Sequence, residues 1–207
     1  LQELMQEKED EPGENSSGDS FIEVDAEILA LHEENPDCIG WLTIEGTKID
    51  YPVMYRPGDK NYYLHRDFNG DYSANGCLFL AEECVPGDSD NLIIYGHHMR
   101  DGSMFATFVK YKNRSFWKKH QNIILYLPKE TRTLKVIAAR ANKPEKLPIE
   151  FKNKKDRENY LSRIQSISYL PDQSIRKRLY TFVTCSYEKN DYRTYIYAVE
   201  NQKEVRE

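Results

Sequence analysis

No run in the 207 residues approaches the roughly 20 consecutive apolar positions that a helix needs to span a bilayer. No signal peptide stands at the N-terminus, and the first residue is Leu1 rather than methionine. The expectation is a mature fragment trimmed of an N-terminal anchor. Cysteine is scarce: Cys38, Cys77, Cys84 and Cys185 form no CxxC pair and no zinc-type spacing with histidine, and the count does not suggest a disulfide-stapled scaffold. The spacing of Cys77 and Cys84 leaves a disulfide between them open, while buried small hydrophobes or unpaired thiols is the ordinary reading of Cys38, Cys77 and Cys84. Basic residues are outnumbered, 29 against 34 acidic, for a net charge of −5. No basic stripe interleaves with aromatics, so nucleic acid is not an expected partner. The short basic clusters at 152–155 and 176–178 read as solvated surface. Repeats and internal low-complexity linkers are absent too, so one domain is expected over 21–207, preceded by an acidic, Gly/Ser-bearing flexible tail over 1–20.

What is present is strand-like. After the tail, 25–35 predicts a short amphipathic helix, with Val24, Ile28 and Leu31 on one side and Pro36 just beyond its end. Strand-sized apolar runs occupy 40–44, 48–54, 76–80 and 91–95, with Glu45-Gly46-Thr47 as a tight hairpin turn. Residues 104–109 and 115–120 predict short helices, and 122–127 and 133–139 a second strand pair. The longest helical pattern is 153–168, with Tyr160, Leu161, Ile164 and Ile167 facing inward and Pro171 ending it. Runs at 179–184 and 194–199 close the pattern. Several short strands with helical insertions predict a mainly β fold with helical decorations, closed or nearly closed into a barrel.

Chemistry concentrates in Tyr180-Thr-Phe-Val-Thr-Cys185, in Arg193 on the next run, and in Tyr95-Gly96-His97-His98 upstream. The polar segment 186–192 suits a hairpin loop. A hairpin symmetric about Lys189 sets Cys185 directly opposite Arg193, with Cβ atoms roughly 4.5–5.5 Å apart. A thiol titrating near about 8.5 is only a few per cent thiolate at neutral pH, and an imidazole or a fixed guanidinium nearby changes that or acts on the substrate. Arginine cannot lose its proton and suits an oxyanion or a backbone carbonyl, whereas histidine exchanges one near neutrality. Cys, His and Arg thus make a coherent acyl-transfer set. The plainer alternatives are a core cysteine at a strand end, a surface Arg193 paired with Glu188 or Asp191, and an exposed polar His97 at a strand-to-loop junction.

These segments, with Asp101-Gly-Ser-Met-Phe105, resemble the sortases, cysteine transpeptidases of Gram-positive cell surfaces, and the resemblance runs from about Asp25 to the end. Thr181-Phe-Val-Thr-Cys185 matches the family's Thr-Leu-x-Thr-Cys strand closely. The family histidine follows a glycine at a strand end, which selects His97 over His98, and the family arginine on the last strand matches Arg193. An N-terminal helix and a long helix between the sixth and seventh strands look like the class B subfamily, with its decorated, closed eight-stranded barrel. The acidic calcium loop of class A has no clear counterpart, so no metal and no cofactor are implied. Pro36-Asp37 reverses the Asp-Pro-aromatic lid motif of the pilin-type enzymes, which speaks against a lid.

The resemblance implies two acyl transfers: Cys185 attacks a C-terminal sorting pentapeptide, His97 protonates the leaving amine, and Arg193 holds the oxyanion or substrate backbone. It implies as partners a secreted protein bearing the sorting signal and an amine from a peptidoglycan precursor or a pilin lysine. It implies a place on the outer face of a Gram-positive membrane, held by a segment missing from this chain. Leu64, Tyr95, Leu147 and Ile149 are the expected groove wall, with Thr184 and Ser186 flanking the nucleophile and amides near Ser186 assisting the oxyanion. Core packing competes for Leu64, Leu147 and Ile149. Two rival functions are an L,D-transpeptidase, whose Ser-x-Gly-Cys-x-Arg motif has no glycine counterpart beside Cys185, and a non-catalytic barrel used as a surface binding module.

Overall fold

Buried and half-buried positions alternate strictly along Cys38–Thr43, β1, as the two-residue period of a strand facing a core on one side requires. The computed structural model describes residues 19–170, 178–186 and 191–200, with side chains except at 19–25, 185 and 186. The chain runs through helix α1 (Asp19–Glu34), β1, β2 (Asp50–Met54), a 3-10 turn (Tyr62–His65), β3 (Leu78–Leu80), β4 (Asn91–Tyr95) and a 3-10 helix (Phe105–Lys112). It continues through α2 (Arg114–Lys119), β5 (Asn122–Leu127), β6 (Glu130–Asn142), α3 (Lys154–Ser166), β7 (Leu179–Ser186) and β8 (Tyr192–Glu200). Eight strands close into a barrel in the order β1-β2-β3-β4-β7-β8-β6-β5. Closure leaves no sheet edge to pair with another chain. Most pairings are antiparallel, but β2–β3 and β4–β7 are parallel.

Several boundaries differ from the sequence expectation, each for a local reason. The helix expected over 25–35 starts at Asp19, because Phe21 and Val24 continue the helical spacing of Ile28 and Leu31 upstream. The rest of the expected tail, and Pro171, lie outside the described residues. β2 begins at Asp50, because the main chain of Ile44 bonds back to Ile49 at 3.0 Å around Gly46, whose φ of +70° suits a residue without a Cβ. The helix expected over 104–109 is a 3-10 helix displaced to Phe105–Lys112, entered through Met104 at φ 53°. β6 is longer than the 133–139 expected and stays paired with β8 as far as Asn142 opposite Arg193. In α3, Leu161 and Ile164 are buried and Tyr160 packs against the core, but Ile167 is 48% exposed because the helix ends at Ser166.

The core fills the barrel and is sealed by aromatics. Phe105, Phe108 and Phe182 are fully buried, with ring centroids 4.4–6.0 Å apart, so the 3-10 helix lies against β7. Each such burial contributes about 1.5–3 kcal/mol. One buried cation ties the β6–β7 connection down: Arg140 pairs with Glu145 and donates to the Tyr197 hydroxyl, and its guanidinium lies 4.6 Å from the Tyr195 ring centroid.

Candidate active site

The parallel pairing of β4 with β7 creates the site. Tyr95 lies opposite Val183, and the Gly96 amide donates to the Val183 carbonyl at 3.2 Å. The two strands therefore end side by side, β4 delivering His97 and β7 delivering Thr184 and Cys185. Gly96 is required there by space: a Cβ would lie 2.5 Å from a methyl of Leu78 and 2.7 Å from the Phe105 ring. The His97 carbonyl then accepts from the Phe105 amide at 2.8 Å, which pins the backbone beyond the glycine.

The second half is the β7–β8 hairpin. Its register pairs Val183 with Tyr195, Thr184 with Thr194, Cys185 with Arg193 and Ser186 with Tyr192. A hairpin symmetric about Lys189 requires this register. The tip, 187–190, lies outside the described residues, as do the side chains of Cys185 and Ser186. Among the described residues the contact of the Arg193 guanidinium is a long one, 3.5 Å to the Tyr192 carbonyl, and no ion pair joins it to Asp191. Glu188 lies outside the described residues. Arg193 is half-buried beside Tyr95, where burial pushes the Tyr95 hydroxyl up and the guanidinium offsets part of that rise.

A groove of about 410 Å³ connects these parts. Its lining includes Leu64, Tyr95, His97, Thr184 and Arg193, all anticipated from sequence. Phe79, stacked on Tyr95 at 5.6 Å, and Val183 form apolar surface, while Lys60, Glu82 and Glu83 put charge along the walls. These five were not anticipated. Phe79 and Val183 could have been, since each sits opposite Tyr95 in a sheet pairing, but that needs the strand order. His97 presents its ring to Leu64, with Nε2 donating to the Leu64 carbonyl at 2.8 Å. Thr184 is buried, and among the described residues its hydroxyl has no hydrogen-bond partner.

The structure does not bring Leu147 and Ile149 into this groove. The Ile149 carbonyl accepts from the Asn91 amide at 2.9 Å, and the Pro148 carbonyl from the Asn91 side chain at 2.7 Å. That fixes both residues at the start of β4, the end away from His97, where Leu147 is part of the core and Ile149 packs on it. His98 also leaves the groove and lines a different cavity with Met99, Arg100 and Lys110. Among the described residues no three His, Cys, Asp or Glu side chains gather as a metal site.

Cys38, Cys77 and Cys84 are free and buried. Burial pushes the Cys38 thiol up to about 11 and the Cys77 thiol up to about 12, and it raises Cys84 as well. At pH 8 a thiol titrating near 11 is thiolate in only about one molecule in a thousand. A methanethiosulfonate reagent is therefore expected to modify one cysteine rapidly at pH 8, and peptide mapping should find it at Cys185. Comparable labelling of Cys38, Cys77 or Cys84 in the folded protein would contradict the burial.

The arrangement matches known proteins. A family model described as the sortase domain covers residues 42–201. Sortase B of Listeria monocytogenes is 32% identical over 174 residues, 81% of this chain and 70% of that protein. Sortase B of Staphylococcus aureus is 28% identical over 163 residues, 75% of this chain and 66% of that protein. The crystal structure of Clostridium perfringens sortase B superposes with a TM-score of 0.78 at 31% identity, covering 84% of this chain and 98% of that one.

Proposed function

The chain belongs to the sortase family of cysteine transpeptidases, Gram-positive cell-surface enzymes that act on proteins bearing a sorting signal and on amine acceptors, and on that premise we propose that Cys185, His97 and Arg193 carry the reaction. The observation that carries this reading is the backbone register that sets Cys185 opposite Arg193, on a hairpin whose Thr184 and Arg193 line one groove with His97. The substrate is a C-terminal sorting pentapeptide of a secreted protein, laid along that groove. The Cys185 sulfur attacks the scissile carbonyl, its thiol proton passing to the imidazole; the C–N bond breaks as His97 protonates the leaving amine, and a thioester remains. An amine of a peptidoglycan precursor or a pilin lysine then attacks the thioester, gives up a proton to His97, and the released thiolate recovers its proton. Arg193 holds the developing oxyanion or the neighbouring substrate carbonyl. Main-chain amides near Ser186 add to it. Thr184 and Ser186 flank the nucleophile, Leu64 and Tyr95 line the groove, and residues 21–207 act as one catalytic domain. Among the described residues no helix is long and apolar enough to cross a membrane.

The test is cleavage of a sorting-pentapeptide library in the presence of a glycine-peptide amine, read by mass spectrometry. Transfer of the N-terminal fragment to the amine is expected; a protein that binds library peptides without cleaving any would instead be a binding module.

Charge and geometry at Arg193 separate in one pair of variants. A planar guanidinium can donate to two oxygens at once, which a lysine ammonium reproduces poorly. Arg193→Lys is expected to lose most of the kcat and Arg193→Ala more, with KM little changed, because the interaction strengthens only in the transition state. A purely structural cation would instead lower thermal stability by about 0–1 kcal/mol and leave turnover intact. Steady-state kinetics and a melting curve on the lysine variant decide between them.

A further inference from the structure

His97 is gripped twice by one short turn. The Leu64 carbonyl lies 2.8 Å from His97 Nε2, and the ring of the next residue, His65, stacks on the His97 ring at 5.3 Å with an interplanar angle of 26°. A carbonyl oxygen can only accept, so Nε2 carries a proton, and Nδ1 is the nitrogen left to take up and return one. A single in-plane hydrogen bond leaves the ring free to tilt about the N–O line. A ring packed on its face removes that freedom.

The turn itself is rigidly held, as a clamp must be. Gly76, at φ +58°, passes so close that a Cβ would lie 2.4 Å from the Leu64 oxygen and 2.5 Å from the Tyr63 oxygen. The Cys77 amide donates to the Tyr63 carbonyl at 3.0 Å and the Ser73 amide to the His65 carbonyl at 3.0 Å. The buried Tyr63 donates its hydroxyl to Asp37 at 2.9 Å, and the Arg56 guanidinium caps the Tyr62 ring at 4.0 Å. The His65 ring, by contrast, is exposed and outside the core, so its removal opens no cavity.

We propose that His65 is a positioning residue for the transpeptidase reaction, its ring holding the His97 imidazole in the plane that aims Nδ1 at the reacting groups while Leu64 fixes the tautomer. This rests on His97 being the acid/base group. Stacking, not titration, is the property used, so phenylalanine should substitute for it.

The experiment compares His65→Ala, His65→Phe and His97→Ala on the best-cleaved library peptide, with melting curves on each. His65→Ala is expected to lower kcat by about 10-fold to 10²-fold, the scale of a misplaced catalytic group, with KM and melting temperature unchanged. His65→Phe should recover kcat to within about three-fold, because an aromatic face remains over the imidazole. An unaffected His65→Ala alongside an inactive His97→Ala would overturn the role of His65 and leave that of His97 standing. Phenylalanine as damaging as alanine would overturn it too, and so would losses that simply follow a lowered melting temperature. An active His97→Ala would remove the acid/base assignment itself.

Discussion

Cys185→Ala is expected to abolish both cleavage of a sorting peptide and transfer to an amine, while the melting transition stays in place. No other thiol can stand in. Cys38, Cys77 and Cys84 are buried and free, held as neutral thiols by that burial, and none of them lines the groove. The fold should survive because the β7–β8 hairpin is held at this position by main-chain pairing with Arg193 and, next to it, by Thr184 opposite Thr194. Without a sulfur no thioester forms, and the groove alone can bind the peptide but cannot split the reaction into two steps. Turnover by the purified variant above a few per cent of the starting enzyme would remove Cys185 as the nucleophile.

The second large effect separates adjacent histidines. His97→Ala should lower kcat by about 10²–10⁴, the range of a lost general acid/base, and His98→Ala far less. The two side chains go to different places: His97 lines the groove with Thr184 and Arg193, whereas His98 lines the neighbouring cavity with Met99 and Arg100. Gly96 enforces the split, because only a residue without a side chain passes between Leu78 and Phe105 at that point, which sets the phase of everything after it. Parallel kinetics on the two alanine variants check it. A larger loss in His98→Ala would shift the assignment by one residue.

Legibility followed the range of the interactions. The eight strands could be read from runs of β-branched and aromatic residues, and so could the pairing of Cys185 with Arg193, because both sit on one hairpin whose symmetry is set locally. The ends of elements were read less well: Ile167 fell outside its helix, and the 104–109 segment tightened into a 3-10 helix, since both depend on what packs against them. Leu147 and Ile149 carried both a groove and a core-packing reading from their place ahead of α3, and the side chain and amide of Asn91 capture that loop at the far end of β4, where both pack on the core.

By itself, then, the sequence showed the strand and helix runs, a barrel-type pattern and a Cys, His and Arg set suited to acyl transfer, and the resemblance to the sortases selected His97 over His98. The runs and the Cys185–Arg193 pairing rest on composition, period-two alternation and a short hairpin, and the choice of histidine rests on the resemblance. Only the tertiary structure decided that β4 and β7 lie side by side and parallel, so that His97 shares one groove with Thr184 and Arg193 at the end of the β7–β8 hairpin. It alone decided that Leu64, 33 positions earlier, and its neighbour His65 close on the His97 ring. A parallel pairing needs a long crossover, and no local signal encodes which strand lies beyond it. That choice belongs to closure of the whole barrel, where all eight strands must pair and one core must fill at once.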